Sequence, residues 1–158
     1  MIPESYGIER VNVSALTAFS GNPRTHSDTQ IDQIAASIRE FGWTNPILVD
    51  AGGVIIAGHG RLAAASRLSL EQVPVIRLGH LSDAQRKALV IADNQLALNA
   101  GWDEVALSNL VRELDAEKFE LDLLGFDSAD LDRYLAGLDG DAAGEEETEI
   151  PELPVIPT

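Results

Sequence analysis

Hydrophobic positions recur along the chain with two different periods. Between Asp28 and Gly42, the residues Ile31, Ile34, Ala35, Ile38 and Phe41 recur at i, i+3, i+4, i+7 and i+10, which places them on one face of a helix. Ser27 or Asp28 can cap its start, and Gly42 stands where a left-handed residue ends a helix. Two short apolar runs, 46–49 and 54–57, flank Asp50, Ala51, Gly52 and Gly53, so a β-hairpin is predicted there. Strands are also predicted at 8–13 and 73–78, with a turn over 20–26 that contains Gly21, Asn22 and Pro23. The alanine-rich stretch 61–68 has helix propensity and side chains small enough for close packing on a sheet. Ser82 begins a long helix through Ala84, Leu89, Ile91 and Leu96, ending near 99–101, and two smaller helices are predicted at about 103–114 and 128–138.

These elements fill a chain of 158 residues, room for one main domain with a real core. The reading is an α+β domain over 8–99, a helical carboxyl-terminal subdomain over 100–138, and an acidic, Pro-rich linker or tail over 139–158 that cannot bury enough apolar area to order itself. No apolar run approaches the roughly 18 residues of a membrane span, and no basic start leads into a cleavable apolar segment, so a cytoplasmic protein with no membrane partner is expected. The chain has no Cys, which removes thiolate catalysis, disulfides and thiolate metal sites together.

Charge changes the picture more than composition does. The net charge is -15, but residues 1–90 carry 8 basic and 8 acidic side chains, residues 91–139 carry 3 and 12, and residues 140–158 carry 0 and 6. The acid lies in the second half. The neutral first half can still gather a few arginines around a phosphate, while broad, salt-driven coating of DNA is disfavoured; any DNA contact is expected to be weak.

The segment from Ile55 to Arg61 reads as a buried strand turning through two glycines into a helix. Such a turn aims free backbone N–H groups at one spot, and with the helix dipole and the Arg61 guanidinium it suits a phosphate or other anion. The local sequence is equally compatible with a tight structural turn carrying an exposed arginine. On the anion reading, Gly60 leaves room for the phosphate to approach, and a larger side chain there blocks binding without unfolding the domain. The match of residues 58–63 to a dinucleotide-binding fingerprint is set aside, because a hairpin precedes the glycines and the next strand ends near Arg77 instead of an acidic ribose ligand. His26, His59 and His80 have no zinc-like spacing, so neither zinc nor haem is expected. His59 is the candidate for chemistry: inside the glycine turn, its imidazole would donate to a phosphate or transfer a proton. His80 reads as a surface loop residue. Asp93 and Asn94 interrupt an apolar helical stretch, either on a solvated face or turned toward phosphate-bound Mg²⁺.

Together, the opening strand, Asn22-Pro23-Arg24, the helix ending at Phe41-Gly42-Trp43, the strand beginning Thr44-Asn45-Pro46, the hairpin and the Gly58-His59-Gly60-Arg61 turn resemble the ParB/sulfiredoxin superfamily, in that order, over roughly Val11 to Asn99. The resemblance implies a small mixed sheet with packed helices. Gly58 to Arg61 fall on the GERR motif of nucleotide-binding ParB proteins, and Asp93 with Asn94 on the start of their ENxxR motif. In that family these segments hold a triphosphate and its Mg²⁺. Asn22 and Arg24 match the turn after the first strand, and Thr44 to Pro46 match the segment lining the base pocket. This chain has His59 and Gly60 where GERR has an acid and an arginine, and Ala97 where ENxxR ends.

The resemblance implies an NTP-binding domain of phage-type DNA metabolism or modification, using Mg²⁺ with ATP or CTP and possessing at most slow NTPase activity. The nucleotide- and phosphate-binding residues it implies are Gly58, His59, Gly60, Arg61, Asn22, Arg24, Thr44, Pro46 and Asn94, with Asp93 and Asn94 acting through the metal. Two alternatives accompany it: a ParB-like DNA nuclease, and a non-catalytic module docking a DNA methyltransferase or other partner. Sulfinic-acid reduction of the sulfiredoxin kind is excluded by the missing Cys.

Overall fold

The computed structural model describes residues 6–137; the predicted tail over 139–158 and the last residue of the final predicted helix lie outside them. The chain divides into two compact units, Met1–Gly101 and Trp102–Thr158.

The first unit is built on a four-stranded mixed sheet in the order β1-β4-β2-β3, with β1 at Ile8–Asn12, β2 at Ile47–Val49, β3 at Ile55–Ala57 and β4 at Gln72–Arg77. β1 pairs antiparallel with β4, β2 runs parallel to β4 with Ile47 opposite Val75, and β2 pairs antiparallel with β3 as the predicted hairpin. The side-chain period of two then divides the apolar residues between the sheet's faces. Ile47, Val49, Ile55, Val73 and Val75 pack with Ala65 and Leu62 of helix α2 (His59–Arg67). Leu48, Ile56 and Ile76 pack on the other side with Leu89 and Val90 of helix α3 (Asp83–Asn99). A strand buried on both faces is why these segments read as continuous apolar runs.

Helix α1 spans Asp28–Phe41, with the Ser27 hydroxyl accepting from the Gln30 amide and Gly42 closing it at φ 78. Helix α3 begins with a full capping box, in which Ser82 accepts from the Gln85 backbone while the Gln85 side chain accepts from the Ser82 amide. Helix α2 starts two residues earlier than predicted. Gly58 takes the left-handed conformation at its N-cap, φ 113, so His59 and Gly60 already belong to the helix and not to a loop before it.

The second unit holds α4 (Glu104–Ala116), a short 3-10 turn at Leu121–Leu124 that the sequence reading lacks, and α5 (Ser128–Ala136). Its core is Leu107, Val111, Leu131 and Tyr134, ringed by Leu121, Leu124, Phe126 and Leu135. The Ser108 hydroxyl inside it donates to the Tyr134 carbonyl at 2.6 Å. Among the described residues, no helix is long and apolar enough to cross a membrane.

Candidate functional site

Three segments far apart in sequence meet in one cleft of about 120 Å³ in the first unit: Arg24 and His26 from the turn before α1, Gly58 to Arg61 from the start of α2, and Asp93 with Asn94 from the middle of α3.

At the start of α2, the first intrahelical bond runs from the Leu62 amide to the Gly58 carbonyl, so the amides of His59, Gly60 and Arg61 have no partner within the helix. They carry the positive end of the helix dipole. Gly58 is held to glycine twice over: its φ is positive, and a Cβ there would lie 3.0 Å from both Ile47 Cγ1 and Arg61 Nη2. Gly60 has another reason. It is buried, and a Cβ on it would meet Ile34 Cδ1 at 2.9 Å and the His26 ring at 3.0 Å. The expected role of Gly60, space for a phosphate, is therefore corrected: the space is already taken by protein, and a bulky substitution strains the packing of α1 on α2 whether or not an anion binds.

Arg61 is not the exposed arginine of the simple turn reading. Its Nη2 donates to the Pro46 carbonyl at 3.1 Å, and its Nε is buried without a partner among the described residues. Burial lowers its pKa, and the Asp93 carboxylate acts in the opposite direction. Asn22 shapes the entrance without lining it: its carboxamide accepts from the Arg24 amide at 3.1 Å and donates to the Arg24 carbonyl at 3.3 Å, fixing the turn from which the Arg24 side chain reaches the cleft. Pro46 contributes through its carbonyl, and Thr44 is exposed and lies outside the residues that line the cleft. Asn94 donates Nδ2 to the Val90 carbonyl at 2.8 Å, which leaves Oδ1 as the available end of its amide. Asp93 is exposed at the rim.

His59 Nε2 accepts from the Phe19 backbone amide at 3.0 Å, which fixes the ring's proton on Nδ1 in the neutral form. Desolvation, and then the neighbouring His26, hold its pKa below the usual histidine value. A proton on Nε2 would break the bond to Phe19, so in the free protein the donor that His59 can offer a phosphate is Nδ1–H of the neutral ring. The sign of the linkage follows. With the folded pKa depressed, the unfolded chain binds more protons below about pH 6.5, so stability present above that value is lost as pH falls toward the folded pKa. Urea midpoints are expected to drop between about pH 7 and pH 5.5, and His59→Gln, which keeps an acceptor for Phe19, is expected to flatten that drop.

His26 is the site residue that sequence reasoning missed. Its Nδ1 lies 3.0 Å from Gln30 Oε1, one helical turn on, and that i to i+4 spacing was the available signal. His80 is at the surface as expected, stacked on Tyr6 with ring centroids 5.5 Å apart.

A mixed four-stranded sheet with a cationic cleft at the start of its crossover helix defines the class to which the comparisons point. The ParB N-terminal domain family matches residues 3–95, and a ParB-methyltransferase HTH domain matches residues 105–158. The chain belongs to the ParB N-terminal domain family. It is 51% identical over 72 residues to the ParB-like nuclease domain-containing protein YnaK of Escherichia coli K12, covering 46% of this chain and 83% of that protein. A probable chromosome-partitioning protein ParB of Treponema pallidum is 36% identical over 83 residues, covering 48% of this chain and 26% of that one. A nucleoid occlusion protein of Bacillus cereus is 34% identical over 111 residues, covering 66% and 38% respectively. The chain thus spans well under half of these two longer relatives. Among solved structures, C-terminally truncated ParB from Caulobacter crescentus complexed with CTP-γ-S superposes with a TM-score of 0.66 at 23% identity, over 82% of this chain and 77% of that one. That likeness supports the ParB/sulfiredoxin-like fold predicted from the sequence.

Proposed function

We propose that the first unit binds the phosphates of a nucleoside triphosphate, ATP or CTP, together with Mg²⁺, as the nucleotide-responsive part of a ParB-like protein of DNA metabolism. The convergence of Arg24, Arg61 and the free amides of α2 on one small cleft, opposite the single carboxylate of Asp93, carries this reading. The orphaned Arg61 Nε supports it, since a buried donor left unpaired costs about 1–3 kcal/mol and an entering phosphate oxygen is an acceptor of the required kind. The donor set also fits Mg²⁺, a hard ion that takes a carboxylate and phosphate oxygens and keeps several waters. Asp93, with Asn94 Oδ1, would hold it, and the ion would neutralise charge on the phosphates.

The complex with CTP-γ-S is that of the Caulobacter protein, and it supplies an analogy for ligand class only. Contact with DNA and association with a methyltransferase are the partner readings suggested by the second family match. A nuclease reading draws on the name of the E. coli relative; among the described residues no three His, Asp or Glu side chains gather to hold a metal by themselves.

Calorimetric titration of ATP, CTP and GTP, with and without Mg²⁺, tests the proposal. Arg61→Ala is expected to weaken binding roughly ten- to a hundredfold, the worth of one charge-assisted contact of about 1.5–3 kcal/mol. Asp93→Ala is expected to reduce the Mg²⁺-dependent part of the affinity and spare the metal-free part. No heat and no thermal shift with any nucleotide overturns the reading, and plasmid cleavage lost in both variants replaces it with the nuclease.

A further inference from the structure

The first turn of α2 has a missing side chain and, beside it, an unexplained ring. Gly60 is buried in the helix, and the position its Cβ would take lies 3.0 Å from His26 Cε1 and 3.1 Å from His26 Nδ1. The imidazole of residue 26 therefore occupies the direction in which residue 60 would extend a side chain. It comes from another element, immediately before the Ser27 cap of α1. Gln30 holds it through Nδ1, and Nε2 has no hydrogen bond among the described residues. The ring lines the same cleft as Arg24, His59, Arg61, Asp93 and Asn94.

We propose that His26 is a direct ligand of the phosphate bound in this cleft, supplying through Nε2 the contact that a side chain at position 60 would otherwise make. This rests on the nucleotide reading above and adds a ligand to it. A ring serving only as packing has little need of a polar neighbour that fixes its rotation. Gln30 does fix it, and its amide offers either an oxygen or an N–H to Nδ1, so it supports the ring in whichever state leaves a proton on Nε2. His26 also faces His59 closely enough to depress that residue's protonation, which places it within electrostatic range of the other cleft ligands. The hydrogen bond from Phe19 occupies His59 Nε2, whereas Nε2 of His26 has no hydrogen bond among the described residues and is open to a ligand.

The test exchanges the two positions in the full chain, with Mg²⁺-ATP, Mg²⁺-CTP and inorganic pyrophosphate as probes. Wild type is titrated first; absence of binding there overturns the cleft reading and this ligand with it. Given wild-type binding, His26→Ala is expected to weaken it roughly ten- to a hundredfold. Two double variants then separate packing from ligation. Removing the His26 ring removes two of the three atoms nearest to a Cβ at position 60, the third being the flexible end of Ile34, so both His26→Ala/Gly60→Leu and His26→Ala/Gly60→Arg are chosen to fill the space. Both are expected to recover the melting temperature lost in His26→Ala. The arginine version is expected to recover affinity to within about threefold of wild type, a fraction of the energy of one charge-assisted contact, and the leucine version none of it. Equal affinity in wild type and His26→Ala, or recovery with leucine as complete as with arginine, overturns the assignment while leaving the nucleotide reading in place.

Discussion

Gly58→Val is expected to destabilise the first unit by about 3–5 kcal/mol, the sum of backbone strain at a β-branched residue and overpacking against a filled core. The residue sits at φ 113, a conformation that L side chains rarely adopt. Its Cβ would lie 3.0 Å from Ile47 Cγ1 and 3.2 Å from Ile47 Cγ2, and Ile47 is fully buried in the central strand β2. Neither can move cheaply, because Ile47 packs with Val49, Val73 and Val75 across the sheet. The same Cβ approaches Arg61 Nη2, which holds the Pro46 carbonyl, so nucleotide binding is expected to fail together with stability. Gly58→Ala keeps the strain and the first clash but lacks the branches, and about 1–3 kcal/mol is expected for it. Amide hydrogen exchange across Ile47–Val49 and Ile55–Ala57 reads this unit without interference from the other. Protection equal to wild type in Gly58→Val would show that the left-handed N-cap is dispensable.

How much of this could be read from the sequence depends on whether the cause is local. Ser27, Gly42, Ser82 and Gln85 act within one turn of their own helix ends, so α1 and α3 were predicted almost to the residue. The hairpin was legible because Asp50 to Gly53 can only turn between two apolar runs. The predicted start of α2 falls two residues late, since a glycine pair signals a loop unless the first of them takes the left-handed conformation. The 3-10 turn at Leu121–Leu124 is too short to show a period. The site was half legible. Gly58 to Arg61 and Asp93 with Asn94 do converge, yet Asp93 and Asn94 sit on a helix with apolar residues on both its faces, Val90 at 1% exposure but Ile91 and Leu96 at 60% and 67%, so its periodicity does not reveal which face meets the sheet. His26 joins the cleft through packing 34 positions away at Gly60, and its local spacing to Gln30 marks the ring as held but not where it points.

Asp50 shows the same limit in a residue that the sequence presents only as part of a turn. Its carboxylate is 12% exposed and accepts from the amides of Gly52 and Val54, each at 2.9 Å, and from Arg86 Nη1 at 2.5 Å. Burial by itself would raise its pKa, but the two backbone donors and Arg86 outweigh it and hold the value below the usual one. Asp50→Ala removes all three interactions and leaves Arg86, whose Nε has no partner among the described residues, paired only with the exposed Asp83 carboxylate through Nη2 at 3.2 Å. The expected cost is about 2–4 kcal/mol, somewhat below that of breaking a fully buried pair because the Arg86 side chain keeps 28% of its exposure. Asp50→Asn retains an oxygen for the turn amides and is expected to lose about half as much. A depressed carboxylate contributes stability that is present above its unfolded value of 3.8 and lost as pH falls through the lower folded value, so the deficit of Asp50→Asn should shrink in acid below that point. The effect reaches the cleft through geometry. Arg86 lies in the first turn of α3, Val90 one turn on packs against Ile56, and Asp93 and Asn94 follow in the next turn. Releasing Arg86 loosens the anchored end of that lever, so Asp50→Ala is expected to weaken the Mg²⁺-dependent part of nucleotide binding even though Asp50 lies outside the residues lining the cleft; unchanged Mg²⁺ dependence in a destabilised Asp50→Ala would show that Val90 alone positions the helix.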